Sequence, residues 1–347
     1  MNIEQIDPTD GAAFGRWFAA LRASSLEMWP GEPGWQPSEL RARALDVEGP
    51  VRFELLAAVD SDGTTVGSGG LECSLTDNRH LVQASVDVHP EHRRRGAGSA
   101  LVKEIEHMAQ AKGRGVVAVM QEDRLGADER SAGRLFAAHH GYEVVLENIR
   151  RDLTVPVEET RLAALEAACW PHAAGYTVTT FRDRWHEEDL EDRALFGRRM
   201  STDAPTGGMD YLEEEWDVAR VRSTEALIHA MDRSFLVSVA RHGSSSRLVA
   251  FTEITIPLGA PQKAYQWDTL VLAEHRGHRL GTLVKVANLG ALAEASPGTS
   301  TVSTMNAKEN KSMIAVNEAL GCKVVSTART WQKRFEPQAS AVPPGRN

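Results

Sequence analysis

The stretch Val88-His89-Pro90-Glu91-His92-Arg93-Arg94-Arg95-Gly96-Ala97-Gly98-Ser99 decides how this chain is read. An apolar run ends at Val88 and a basic, glycine-containing turn follows. Beyond Ser99, Leu101, Val102, Ile105, Met108 and Ala109 recur at helical spacing. Such a strand–turn–helix junction aims several backbone N–H groups and the positive end of a helix dipole at one point. Small residues let an anion approach the backbone, and the arginines add positive charge. The turn predicts an anion site. It is not a P-loop, which needs Gly-Lys followed by Ser or Thr. It is not a dinucleotide turn either, because antiparallel strands precede it.

Working outward, Phe53–Val59, Val66–Cys73 and His80–Val88 read as strands separated by Asp60-Ser61-Asp62-Gly63 and Thr76-Asp77-Asn78. After the helix come a buried strand from Val116 to Met120, a helix from Arg130 to His139, a stop at Gly141 and a strand from Tyr142 to Leu146. The order then repeats. Arg247–Ile256 and Ala264–Leu272 read as strands, and Leu280, Leu283, Val284 and Ala287 mark a helix. Ser300–Thr304, Lys311–Leu320 and Lys323–Ala328 read as strand, helix and strand, with Gly321 as the stop. Gly98 and Gly281 lie 183 residues apart, about half of the 347-residue chain. That is a duplication of a domain, since solenoid repeats run only about 20–50 residues.

The second junction, Val271 followed by His275-Arg276-Gly277-His278-Arg279-Leu280-Gly281-Thr282, stands where the first does in its half. Both resemble the acyl-CoA signature of the GNAT (Gcn5-related N-acetyltransferase) superfamily, Gln/Arg-x-x-Gly-x-Gly/Ala. Arg93, Gly96 and Gly98 match in full; in the second copy Arg276 and Gly281 match, but Arg279 replaces the middle glycine. The resemblance implies two GNAT-like α/β (α+β mixed) domains, each a mixed, mainly antiparallel sheet flanked by helices. We expect residues 1–155 and 175–335 to be these domains, 156–174 a linker or connecting helix, and 336–347 a disordered tail.

The resemblance also implies direct transfer of an acetyl group from acetyl-CoA to a primary amine. A general base must reach the amine, directly or through one water. A backbone N–H near Val88 or Val271 would meet the charge developing on the thioester oxygen. The family's proton donor to the leaving thiolate is usually a Tyr, yet four residues before Gly141 and Gly321 stand Ala137 and Asn317. Alanine donates nothing, whereas asparagine donates a hydrogen bond. Glu253 and Asp268, on strands with apolar neighbours, are candidate bases; Glu72 and Asp87 occupy similar places in the first half. Asn306 and Asn310 suit pantetheine amides, or else a helix cap. On these grounds residues 175–335 are the better catalytic candidate. The alternative is a non-catalytic acyl-CoA-binding regulatory or scaffold protein on a decayed fold of the same kind.

Composition agrees with this class. A net charge of −9 argues against a nucleic-acid partner, whose phosphates demand excess Lys and Arg. Cys73, Cys169 and Cys322 lack disulfide spacing, no run of 18 apolar residues exists, and the N-terminus is not a signal peptide. We therefore expect a cytoplasmic monomer or homodimer with no membrane partner, no metal and a small-molecule amine acceptor. His89, His92, His275 and His278 read as solvated turn residues, and Glu213-Glu214-Glu215 as the face of a helix that also carries Trp216.

Overall fold

A computed structural model describes residues 1–128 and 130–335, so the expected tail 336–347 lies outside the described residues. The first half runs β1 (Asn2–Ile6), α1 (Gly11–Met28), α2 (Pro37–Leu45), β2 (Val51–Val59), β3 (Thr65–Ser74), β4 (Leu81–Val88), α3 (Ala97–Ala111), β5 (Val116–Arg124), α4 (Ala132–His139) and β6 (Glu143–Thr154). A connecting helix, α5 (Glu159–Cys169), leads to β7 (Tyr176–Arg182), α6 (Leu190–Asp203), α7 (Val218–Ala230), β8 (Arg233–His242), β9 (Leu248–Pro257), β10 (Lys263–Val271), α8 (Leu280–Ala295), β11 (Thr301–Ala307), α9 (Lys311–Leu320) and β12 (Lys323–Arg334). Local chemistry sets the ends. Asn310 caps α9 by accepting from Met313 N–H, and Gly321 closes it in the left-handed conformation that glycine tolerates best.

Among the described residues twelve strands form one sheet in the order β1-β2-β3-β4-β5-β12-β6-β11-β10-β9-β8-β7. The two halves trade their last strands. β12 lies between β5 and β6, and β6 lies between β12 and β11. The contiguous halves expected from the sequence therefore differ from the sheet at this seam. β6 and β12 run on to Thr154 and Arg334, well past the ends that periodicity predicts, and the added residues make the exchanged pairings. Two pairings are parallel, β4–β5 and β10–β11; the others are antiparallel.

Alternation along each strand feeds two apolar layers. On one face of β2, Leu56 and Ala58 join Leu101 and Ile105 of α3; on the other, Leu55 and Ala57 join Phe14 and Trp17 of α1. The second half repeats this: Leu236 and Ile254 pack with Leu289 and Leu292 of α8, while Phe235 and Phe251 pack with Phe196 of α6 and Ile228 of α7.

Polar contacts lock the seam. Glu32, between α1 and α2, accepts from both Arg150 of β6 (2.7 and 2.8 Å) and Lys263 of β10 (2.8 Å). Buried Glu39 of α2 accepts from buried Arg233 of β8 at 2.7 Å. In return, residues 204–217 of the second half lie against the first, where Asn78 exchanges two bonds with Leu212 and Asp77 pairs with Arg220. This segment corrects one expectation. Glu213-Glu214-Glu215 is irregular chain, not helix, because its polar groups are bound one by one. Tyr211 and Trp216 donate to Glu214, and Glu215 N–H donates to Asp77; α7 begins only after Asp217, which caps it.

Candidate active site

Each half opens a gap in its sheet beside the basic turn. β4 and β5 are paired only from Leu81/Val116 to Ala84/Val119, and β10 and β11 only from Lys263/Thr301 to Tyr265/Ser303. Beyond those points the strands part. His89 N–H donates back to Val66 O at 3.0 Å and Leu272 N–H to Val249 O at 2.9 Å. Successive N–H groups of a strand alternate sides, so those of Val88 and Val271 face the gaps.

The turns are built alike. Each needs two left-handed residues, and each uses one arginine and one glycine: Arg94 and Gly96 in the first, Gly277 and Arg279 in the second. Arg279 therefore keeps the backbone path that the glycine signature provides, in a conformation uncommon for a residue with a side chain. In α3 the first intrahelical bond is Ala100 N–H to Gly96 O, which leaves the amides of Ala97, Gly98 and Ser99 for an anion. In α8 that bond is Thr282 N–H to Arg279 O, leaving Leu280 and Gly281. A Cβ on Gly96 or Gly277 would meet nothing within 4 Å, and one on Gly281 only Val271 Cγ2 at 3.6 Å. The second turn thus has the open approach that a pyrophosphate requires, whereas in the first a Cβ on Gly98 would come within 3.1 Å of the Phe136 ring.

Not every basic residue there serves charge. Arg93 Nε donates to Val88 O at 3.2 Å and its guanidinium pairs with Glu27 of α1. Arg276 Nε donates to Val271 O at 3.2 Å and Nη2 to Asp203 of α6 at 2.6 Å. These two arginines brace the turn against strand and helix, while Arg94, Arg95 and Arg279 stay exposed. His278 Nδ1 donates to His172 O at 2.9 Å. On the first turn, His89, Glu91 and His92 bring three possible metal-ligand atoms within 4.8 Å of one another; the Glu91 N–H donates to His89 Nδ1.

The asparagines face inward. Asn317 is fully buried; its carbonyl accepts from Lys285 of α8 at 3.0 Å and its amide donates to Asn306 at 3.2 Å. Asn306 spends its own amide on Ala307 O, and Asn310 is the cap of α9. The three brace α8, β11 and α9 behind the gap. A cap and a buried bridge satisfy backbone and lysine groups that would otherwise be unpaired.

The carboxylates separate the halves. β10 carries a bulge between Gln266 and Thr269, which sets Trp267 and Asp268 opposite Glu253 of β9. Glu253 is 3% exposed and faces α6 and α7 among Trp185, Arg193 and Glu225. Burial pushes its carboxyl up to about 7, with Asp268 and Glu225 reinforcing the rise and Arg193 opposing it. Burial also raises Asp268, against Arg193. In the first half, β3 and β4 pair with no bulge. Gly67 opposite Val88 corresponds to Ala250 opposite Val271, so Gly70 stands where Glu253 does. A Cβ on Gly70 would come within 2.8 Å of the Phe53 ring, so the place is filled. Glu72 is two residues away and pairs with Arg43, while Asp87 bonds Ser24. Burial raises Asp87 as it raises Asp268, so that likeness holds; what the first half lacks is a carboxylate at the place of Glu253.

Sequence reading missed Arg193, Trp185 and Glu225, which complete this cleft. They come from segments of mixed polarity whose periodicity is weak, and a single Arg among polar neighbours reads as solvated. In the fold, Arg193 is 6% exposed and lies 5.5, 4.9 and 5.1 Å from the ring centres of Trp185, Trp216 and Phe251.

Comparison with known proteins agrees with this architecture. The family model for the acetyltransferase (GNAT) domain matches residues 53–144. A search of curated proteins by sequence finds no match. Among solved structures, the chain is similar to a tandem GNAT protein from the clavulanic acid biosynthesis pathway. That likeness has a TM-score of 0.80 and 24% identity, over 97% of this chain and 99% of that one. A GCN5-related N-acetyltransferase from Sphaerobacter thermophilus gives a TM-score of 0.64 at 18% identity, over 97% and 96% of the two chains. Residues 53–144 thus match the GNAT domain model, and the chain as a whole shares the fold of the tandem GNAT protein.

Proposed function

We propose that the second half transfers an acyl group, acetyl in the simplest case, from an acyl-CoA thioester to the primary amine of a small molecule. The observation that carries this reading is Glu253, a buried carboxylate held near neutrality opposite the bulge of β10 and absent from the first half. The first half, with Phe136 against Gly98 and no carboxylate where Glu253 stands, binds acyl-CoA or supports the sheet.

In this reading the pyrophosphate rests on the amides of Leu280 and Gly281, with Arg279 beside it, and the thioester enters the gap between β10 and β11. Glu253 takes the proton that the amine must lose, directly or through one water, and Asp268 assists by holding the ammonium form nearby. The amine lone pair attacks the thioester carbon, the N–C bond forms, and the Val271 N–H stabilises the oxygen. The C–S bond then breaks and the thiolate takes a proton from solvent. No side-chain acid is invoked, because Asn317 is committed to Lys285 and Asn306. The space beside Glu253, closed in by Trp185, Trp216 and Phe235, has room for about one water, which would carry the proton between amine and carboxylate.

The test is release of free thiol from acetyl-CoA by the intact chain, with and without added primary amines. Thiol release that requires the amine, and rises with pH through about 7 as Glu253 loses its proton among Arg193, Asp268 and Glu225, is the expected result. Acetyl-CoA binding with no amine-dependent release would favour a binding module instead.

A further inference from the structure

The face of the second half that carries Glu253 and Asp268 also carries two exposed indoles. Trp267 of β10 is 38% exposed, and Trp35, in the loop between α1 and α2, is 41% exposed. Single exposed apolar residues are ordinary, but these two converge on one support. The guanidinium carbon of buried Arg233 lies 5.2 Å from the Trp35 ring centre, 5.3 Å from Tyr265 and 5.8 Å from Trp267. Its Nε donates to Glu39 and its Nη1 to Thr255, so the arginine serves as a base under the rings. The Trp35 loop is fixed as well. Arg22 donates to Pro33 O and Glu32 O, Gln36 to Pro33 O and Gly34 O, and Glu32 is held by Arg150 and Lys263. A first-half residue is thereby set on the second half's face.

The indoles stand where the chemistry is placed. β10 pairs with β11 no further than Tyr265, so Trp267 and Asp268 lie where the gap opens. The first half shows neither the rings nor a carboxylate at the place of Glu253. Val51 lies opposite Ser74 where Arg233 lies opposite Pro257. Ser85 lies opposite Gly70 where the Trp267-Asp268 bulge lies opposite Glu253. Rings and carboxylates therefore come together in the same half.

We propose that the acceptor is a primary amine joined by a short chain to a flat aromatic group, which lies on Trp267 and Trp35 while the ammonium meets Asp268. This rests on the transferase reading for the fate of the amine, but the aromatic contact stands on the two indoles alone. An aromatic ring offers the flat face that offset stacking on an indole needs. Charge supports the pairing, because half-buried Asp268 is the residue next to Trp267 and matches a cationic nitrogen. The surface is open, so the ring needs no enclosed cavity. An amino sugar would also stack, but its hydroxyls need several polar partners beside the rings, and Arg233 and Glu39 are spent on each other.

The test compares three acceptors in the intact protein with acetyl-CoA: phenethylamine, cyclohexylethylamine and glucosamine. The second has the same bulk in a puckered ring, and the third is the amino sugar. Phenethylamine is expected to exceed both in kcat/KM by about tenfold, and Trp35→Ala to remove most of that advantage while Trp35→Phe keeps part of it. Equal or better use of cyclohexylethylamine or glucosamine overturns the proposal and leaves the transferase reading intact. Calorimetric titration of the same compounds, with free CoA present, separates the two ideas. Selective binding of phenethylamine with no turnover supports the aromatic site and sinks the transferase. Binding that ignores the ring overturns the site whatever the turnover. A homodimer that Trp35→Ala dissociates would make the indoles a contact between copies and also overturn the proposal. The wild-type comparison decides even if a variant fails to fold.

Discussion

Replacing Glu253 with glutamine is expected to lower kcat by about a hundred- to ten-thousandfold and to make the protein more stable above pH 7. The rate loss is that of removing a general base in proton-transfer chemistry. The stability gain follows from the same burial. Glu253 titrates near 7 in the fold against an ordinary value of 4.5. Below pH 4.5 both folded and unfolded chains hold the proton, and the carboxyl costs nothing. Between 4.5 and 7 the folded chain binds more protons than the unfolded one, so stability falls as pH rises. Above 7 the full penalty applies, about 3 kcal/mol. Glutamine keeps the shape and cannot ionise. Thermal melts should therefore show a higher Tm for Glu253→Gln at pH 8 and little difference at pH 4. A base at the centre of a stability–activity conflict behaves in this way; a merely structural carboxylate would lose stability at both pH values.

The second large effect concerns the seam. Residues 1–155 and 156–347, produced separately, are expected to be insoluble or unfolded, and to form the folded protein when produced together. Without β12, β5 loses a partner along nine registered positions, and the first core loses Trp331. Without β6, β11 loses seven registered positions, and the second core loses Leu153 and Val155. Each orphaned edge presents a row of unpaired N–H and C=O groups, a template for aggregation. The buried Glu39–Arg233 pair would also be split, leaving an uncompensated charge in each fragment. A monomeric half with a cooperative thermal transition would contradict this account of the seam.

What the sequence disclosed, and what it withheld, divides along the same line. Strand–turn–helix units were legible because period and glycine placement are local, and both turns lie where Gly98 and Gly281 put them. The strand exchange was not legible: which edge a strand joins depends on long-range pairing that alternation in Glu143–Thr154 and Lys323–Arg334 does not encode. The bulge that sets Asp268 opposite Glu253 is a one-residue slip between two strands, equally silent in either strand alone. Asn306, Asn310 and Asn317 have side chains suited to a ligand; in the fold Asn306 bonds Asn317 and Ala307 O, Asn310 caps α9 and Asn317 bonds Lys285. Arg193 escaped notice for the converse reason. Its burial comes from three aromatic rings at sequence distances of 8, 23 and 58 residues.

The central claim is that the second turn holds the acyl donor for chemistry at Glu253. It is tested most directly by titrating acetyl-CoA calorimetrically into the intact protein and into Gly281→Asp, with thiol release measured on both. Gly281 has ordinary helical backbone and room for a side chain beside Val271, so the variant should fold, while its carboxylate repels the pyrophosphate. The account predicts that the variant loses a binding event and amine-dependent thiol release together. Unchanged binding and turnover in Gly281→Asp would place the working site in the first half and contradict it.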